Sequence, residues 1–123
     1  MFAKAVNHIS FSVSDLDASL AFYRDVLGLE AIPRPEFGIP GAWLKAGNSE
    51  VHLIARPEGV PAGHTSEGLS PLENHQAFAV DDYQKAVDHL KSHNLEVLET
   101  SPKQGQLWVK DPDGNVIEFI TPR

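Results

Sequence analysis

The chain has 123 residues, 41% of them hydrophobic, which suffices for one domain with a packed core and excludes two independent domains. Its 17 acidic residues outnumber its 10 basic ones, and the formal net charge of −7 disfavours nucleic acid and anionic membranes as partners and favours a small molecule. The chain contains no cysteine, which excludes disulfides, thiolate ligands and a cysteine nucleophile and leaves histidine and carboxylates as the strong metal ligands.

The first half of the chain predicts a strand, a helix and three further strands. Residues 6 to 13 alternate between apolar and polar side chains, as a half-buried strand does. Ser14 or Asp15 is a suitable N-cap for a helix that we expect to run to about residue 27, and Gly28 follows as a left-handed stop. Three short strands are predicted next, near residues 30 to 34, 42 to 45 and 50 to 54.

The second half repeats this order. A strand is predicted at residues 75 to 80, a helix follows from a cap at Asp81 or Asp82, and Asn94, the next-best residue for a left-handed stop, stands where Gly28 stands. Further strands are predicted near residues 95 to 99, 106 to 110 and 116 to 120. We therefore expect an α+β fold of two βαβββ units that form a cup-shaped mixed sheet with the helices outside.

The two units are expected at about residues 4 to 55 and 74 to 122 of a single domain, joined by a Gly/Pro-rich linker at about residues 56 to 73. Residues 1 to 11 lack the pattern of a signal peptide, and no apolar run approaches the ~20 residues of a membrane span. The expectation is a cytoplasmic protein without a membrane partner.

Candidate metal ligands fall at matching places in the two halves. His8 and His75 each begin a predicted strand and are 75 − 8 = 67 residues apart, while His52 and Glu118 lie in the last strands, 118 − 52 = 66 residues apart. Repetition on this scale indicates two similar units packed face to face, so these four side chains would converge. Glu118 lies in an apolar segment, where a buried carboxylate needs a cation, hydrogen bonds or a proton. The sequence therefore predicts a metal centre.

A simpler interpretation exists for each of these residues alone, as an ordinary strand histidine or an edge carboxylate. The coincidence of all four at repeat-equivalent positions favours the metal site. The remaining histidines have no such support. His64 lies in the predicted linker, and His89 and His93 lie on a helix face that we interpret as solvated surface.

Weaker candidates for substrate binding lie on the same strands or close to them. Ser10 is a small polar neighbour of the first histidine, and Trp43 and Trp108 could stack on a substrate, although aromatic strand residues more often belong to the core. Arg34 and Lys110 could bind an anionic substrate, although exposed charge is the more common reason for such residues.

Longer motifs extend this pattern over nearly the whole chain. They are HISF at residues 8 to 11, DLDASLAFY at 15 to 23, VLGL at 26 to 29, EVHLI at 50 to 54, HQAFAV at 75 to 80, and DPDGN at 111 to 115 followed by Glu118. With the βαβββ order, they make the chain resemble the vicinal oxygen chelate superfamily. That superfamily includes glyoxalase I, extradiol dioxygenases, fosfomycin-modifying thiol transferases, methylmalonyl-CoA epimerase and bleomycin-binding proteins.

The resemblance implies that His8, His52, His75 and Glu118 bind one divalent metal ion, which holds two oxygens of a substrate and stabilises an enolate or other oxyanion. Three imidazoles and one carboxylate suit Zn²⁺, Ni²⁺, Co²⁺, Fe²⁺ or Mn²⁺. Glyoxalase I is expected to carry a carboxylate where this chain has His52. We therefore interpret His52 as either a ligand or a base, and Glu118 as the other candidate base.

The resemblance favours a metal-dependent lyase or isomerase of the glyoxalase type, which acts on a small oxygen-chelating substrate through an enolate or enediolate intermediate. The alternatives are an extradiol-type Fe(II) dioxygenase that uses His8, His75 and Glu118, a fosfomycin-type thiol transferase, and a non-catalytic drug-binding protein. We also expect a homodimer, because open sheets leave edges that a partner chain can cover and many members share sites between chains.

Overall fold

The computed structural model describes residues 1–63 and 68–122, and the chain forms two compact units, Met1–Gly63 and His64–Arg123. Each unit contains one four-stranded mixed sheet, so the expected α+β fold of two βαβββ units is confirmed. His64 and the middle of the predicted linker lie outside the described residues, and the expectation of a single domain stays a prediction. Within the described ranges, no helix is long and apolar enough to cross a membrane.

The first unit places its first strand beside its last. Its elements are β1 (His8–Val13), α1 (Leu16–Leu20), a π-helical segment (Ala21–Val26), β2 (Glu30–Ile32), β3 (Gly41–Ala46) and β4 (Ser49–Ala55). The strand order is β1-β4-β3-β2, with β1 parallel to β4 and the other neighbours antiparallel. A parallel pair needs a long crossover connection, which the helical region and the two intervening strands supply.

The helical region of this unit differs from the uniform α-helix that the sequence predicts. Asp15 is the N-cap, as expected, but the second half is π-helical, and Leu27 N donates to Phe22 O at 2.9 Å. A π-helical turn holds one more residue than an α-helical turn, and here the adjacent Phe22 and Tyr23 are both buried. Gly28, with φ of +80°, then ends the helix as predicted.

The second unit has the same topology with shorter outer strands. Its elements are β5 (His75–Ala79), α2 (Tyr83–Ser92), β6 (Leu98–Glu99), β7 (Gln106–Lys110) and β8 (Val116–Ile120), in the sheet order β5-β8-β7-β6. Asp82 is the N-cap of α2, and Asn94 adopts the predicted left-handed φ, here +61°. β6 is shorter than predicted because Leu95 N still donates to Leu90 O, at 3.3 Å, and the chain reaches the sheet only at Leu98.

The strand register puts equivalent residues of the two sheets in matching rows. The rows are Ser10, His52 and Trp43 in the first sheet, and Ala77, Glu118 and Trp108 in the second. Side chains alternate along a strand, so His8 and His75, each two residues before its row, lie on the same face as that row. In the first sheet the opposite face carries fully buried apolar side chains such as Val51 and Leu53.

Candidate functional site

His8 and His52 lie together on the polar face of the first sheet. Their rings are stacked, with centroids 4.0 Å apart and planes 15° apart. Trp43 covers the other side of His52, with ring centroids 4.3 Å apart and planes 6° apart. The ring of His52 is therefore held between two other rings, and its side chain is only 12% exposed.

Local hydrogen bonds fix which nitrogen of each ring carries a hydrogen. His8 Nδ1 lies 2.8 Å from Asn7 Oδ1, and His52 Nε2 lies 2.8 Å from Glu50 Oε1. An amide oxygen and an ionised carboxylate can only accept hydrogen bonds, so these two nitrogens are the donors. In the neutral rings, the lone pair is therefore left on Nε2 of His8 and on Nδ1 of His52.

The stack limits how these two histidines can bind a metal. A nitrogen lone pair points along the plane of its ring, and the planes of His8 and His52 are nearly parallel and lie one above the other. One ion cannot lie in both planes, so ligation by both rings requires one ring to rotate. In this arrangement, His8 is suited to ligation through Nε2 and His52 to accepting a proton at Nδ1.

A cavity of about 310 Å³ opens beside the stacked rings. Five residues that the sequence predicts for the site line it, namely His8, Ser10, Arg34, Trp43 and His52. Its volume lies at the small end of the ~300–1,000 Å³ that is typical of small-molecule sites. The first unit therefore has a binding cavity of its own, and its predicted candidates lie in it.

His75 and Glu118 meet on the second sheet, where His75 Nε2 lies 3.0 Å from Glu118 Oε1. Glu118 is only 5% exposed, as its apolar neighbours in the sequence predict. The other ring nitrogen, His75 Nδ1, lies 2.7 Å from the backbone carbonyl oxygen of Glu73. Gln106 Nε2 donates to Glu118 Oε2 at 3.4 Å.

The hydrogen bonds of His75 place two hydrogen-bond acceptors next to each other. A carbonyl oxygen can only accept, so Nδ1 carries the hydrogen and, in the neutral ring, Nε2 is an acceptor. Nε2 therefore faces a carboxylate oxygen, a second acceptor, in a place where little water can intervene. Such a contact is unfavourable unless a proton or a cation satisfies both atoms. Imidazole and carboxylate are also ligands that divalent transition metals accept, so the pair fits a metal ion.

The other predicted residues are less closely connected. Trp108 is buried beside Glu118 in the sheet, and its Nε1 has no hydrogen-bond partner among the described residues. Lys110 is half-buried and lines a different cavity, of about 250 Å³, together with Asn94 and Leu95. Residues 1–63 and 68–122 contain no group of three or more His, Asp or Glu side chains that could hold a metal ion. The four-ligand assignment therefore stays a prediction.

Three orienting groups could not be predicted from the sequence, for different reasons. Glu50 lies two residues before His52 and so on the same face, but the equivalent residue of the second unit is Val116, and the repeat does not mark it. Gln106 lies two residues before Trp108 and so on the same face as Glu118, but it has no polar equivalent in the first unit. Glu73 contributes a backbone carbonyl to His75, which any residue could supply, so no sequence signal exists.

Comparison with known proteins gives consistent matches over nearly the whole chain. Residues 5–119 match the sequence profile of the Glyoxalase/Bleomycin resistance protein/Dioxygenase superfamily. The chain is 32% identical over 123 residues to the metallothiol transferase FosB of Staphylococcus epidermidis, with 95% of this chain and 81% of that protein covered. It is 30% identical over 121 residues to glyoxylase I 4 of Arabidopsis thaliana, with 94% and 69% covered. A glyoxalase/dioxygenase from Nostoc punctiforme shares the fold, with a TM-score of 0.80, 24% identity, and 98% of this chain and 92% of that chain covered.

The opposed acceptors predict that Glu118→Gln stabilises the metal-free protein. The amide would donate to His75 Nε2 and still accept from Gln106, so both neighbours would be satisfied. At pH 8, where an ordinary imidazole is neutral, the free energy of unfolding in EDTA is expected to rise by about 1 kcal/mol in urea titrations. The exposed Glu96→Gln is the control and should change it by less than about 0.5 kcal/mol. A loss of stability in Glu118→Gln would mean instead that His75 is protonated and pairs with Glu118.

Proposed function

This chain belongs to the Glyoxalase/Bleomycin resistance protein/Dioxygenase superfamily, and we propose that it is a divalent-metal-dependent lyase or isomerase that acts on a small oxygen-chelating substrate. The observation that carries the proposal is the contact between His75 Nε2 and Glu118 Oε1, two acceptors held 3.0 Å apart. His8 supports it, because its Nδ1 is also tied to a local acceptor and its Nε2 lone pair is available. We assign His8, His75 and Glu118 as ligands of one ion per chain.

A divalent metal at these ligands would polarise a substrate carbonyl and so lower the barrier to removing the adjacent proton. The residues of this chain then have to hold the substrate and move that proton. The cavity beside His8 and His52 has the size for a small substrate. Its lining offers both polar and apolar contacts, with Ser10 and Arg34 on one hand and Trp43 and Ile54 on the other.

His52 is the candidate proton acceptor, although its position in the repeat also makes it a possible fourth ligand. Glu50 accepts from its Nε2, which leaves the Nδ1 lone pair free and stabilises the ring when it gains a proton. The stack with His8 and Trp43 fixes the ring plane. Glu118 remains the second candidate for the base, since its carboxylate can accept a proton.

Thiol transfer is the second candidate function. It is favoured by the 32% identity to the metallothiol transferase FosB, which extends over 95% of this chain. In that case the same three ligands would hold the ion, and the cavity would bind the acceptor of the thiol. The two functions make different demands on His52, because addition of a thiol does not require a base that removes a carbon-bound proton.

The ligand assignment predicts the metal content of purified protein. After reconstitution with Zn²⁺, Ni²⁺, Co²⁺, Mn²⁺ or, without oxygen, Fe²⁺, the best-fitting metal should remain at about one ion per chain in elemental analysis. His75→Ala and Glu118→Ala should each lower its affinity by more than roughly tenfold, because each removes a direct ligand.

The matched control is the double variant His89→Ala, His93→Ala. These rings lie 4.9 Å apart at the C-terminal end of α2 and could hold a stray ion, but the proposal gives them no role. The double variant should therefore retain the ion. Retention of the full metal content by Glu118→Ala, or loss of the ion in the control alone, would contradict the assignment.

The proposed role of His52 predicts that His52→Ala keeps its metal and loses turnover. A positioned base contributes about 10²- to 10⁴-fold, so kcat should fall by that factor. The assay panel contains hemithioacetals, 2-oxo compounds and CoA thioesters, tested with each metal. A thiol with fosfomycin, and catechols with Fe²⁺ and oxygen, provide the arms for thiol transfer and ring cleavage. Inactivity across the first panel would reject a lyase or isomerase, and loss of metal in His52→Ala would make His52 a ligand.

A further inference from the structure

The cavity of the first unit contains a cation without an ion-pair partner among the described residues. Arg34 is half-buried, its Nε is buried without a hydrogen-bond partner, and it takes part in none of the ion pairs found in the described part of the chain. The chain has an excess of carboxylates, with a net charge of −7, but the neighbouring Glu36 accepts from Gly38 N at 2.7 Å instead. In the described part of the lining, the guanidinium group has no carboxylate beside it, so an anionic ligand that enters the cavity would compensate its charge.

Two contacts fix the guanidinium group in the cavity. Its central carbon lies 4.9 Å from the centroid of the Phe37 ring, which attracts the cation. The group also lies against Gly41, where a Cβ atom would come within 2.9 Å of the same carbon. A side chain at position 41 would therefore clash with both Arg34 and the backbone oxygen of Leu53. The donors are thus held in position before any ligand binds, which lowers the entropic cost of binding.

Four apolar or aromatic side chains form another part of the wall. Trp43 and Phe37 have ring centroids 6.1 Å apart with planes at 41°, and Ile39 and Ile54 complete this side of the lining. Phe37 and Ile39 are exposed at 57% and 38%, so their apolar surface is accessible to a ligand that enters the cavity. Within residues 1–63 and 68–122, no carboxylate lines the cavity. This part of the wall, together with Arg34, therefore combines one fixed cation with an apolar surface.

We propose that this cavity binds a substrate in which an oxyanion, such as a carboxylate, is attached to a short apolar or aromatic group. Arg34 binds the oxyanion through its planar donors, and Trp43 and Phe37 contact the apolar group. His8 and His52 line the same cavity, so the anchored substrate lies next to the candidate ligand and the candidate base. The inference rests on the proposed function only in taking this cavity as the place where the substrate binds.

The test compares phenylacetate with its neutral analogue phenylacetamide, which have nearly the same shape. Both are titrated calorimetrically into wild-type protein kept metal-free with EDTA, so that the carboxylate cannot bind through a metal. Phenylacetate is expected to bind about tenfold more tightly or better, because a charge-assisted hydrogen bond replaces a neutral one. Arg34→Gln should abolish this difference, and Arg34→Lys should keep part of it, since lysine retains the charge without the planar donors.

Arg56→Gln is the matched control, because Arg56 lies outside the cavity lining and its side chain donates to Val60 O in its own turn. It should leave the preference for phenylacetate unchanged. Equal affinities for the two probes in the wild type, no binding of either probe, or a preference that survives Arg34→Gln would each overturn the proposal. Because the titrations contain no metal, their result does not depend on whether the metal assignment is correct. Conversely, a protein that binds metal and turns over substrate but shows no preference for phenylacetate would overturn this inference and leave the proposed function standing.

Discussion

The parallel pairing of the first and last strands is the constraint on which each candidate pair depends. It sets His52 beside Ser10 and Glu118 beside Ala77. His8 and His75, two residues earlier on their strands, can therefore contact His52 and Glu118, which come from the other end of each unit. A shift by one residue would turn His52 or Glu118 to the opposite face, because side chains alternate along a strand. The helix-facing side of the first sheet is closely packed, with Val51 and Leu53 fully buried, and this packing resists such a shift.

The polar groups on this framework are arranged for a ligand rather than for stability. With a neutral His75 ring, its contact with Glu118 lowers the stability of the metal-free protein, and so does the buried, unpartnered Nε of Arg34. A cation would satisfy both atoms of the His75 and Glu118 pair, and an oxyanion in the cavity would compensate the charge of the Arg34 guanidinium, so the two sites are complementary in charge. The first favours a cation, and the second favours an oxyanion. A metal enzyme with an anionic substrate would satisfy both.

Much of the fold follows from the sequence, because alternation and the internal repeat are local signals. β7 and β8 are found at the predicted residues, and the left-handed stops at Gly28 and Asn94 are confirmed. The π-helical segment could not be predicted, because the cap at Asp15 and the stop at Gly28 are equally suited to an ordinary α-helix. The candidate site also has a part that the sequence predicts and a part that it does not. The repeat locates the candidate ligands by strand position, whereas the stack of His8 on His52 and the tie to Glu50 depend on side-chain rotamers that the repeat does not encode.

The tautomer of His75 tests most directly whether His75 and Glu118 form an unsatisfied pair that a metal ion would complete. Nitrogen-15 NMR of the imidazole in metal-free protein at pH 8 distinguishes the two neutral tautomers and the doubly protonated ring. The hydrogen bond to the carbonyl of Glu73 predicts the neutral ring with its hydrogen on Nδ1 and an unprotonated Nε2 facing Glu118. A hydrogen on Nε2, in either the other tautomer or the imidazolium, would mean that an ordinary hydrogen bond already satisfies the pair, and it would contradict the opposed-acceptor basis of the proposed metal centre.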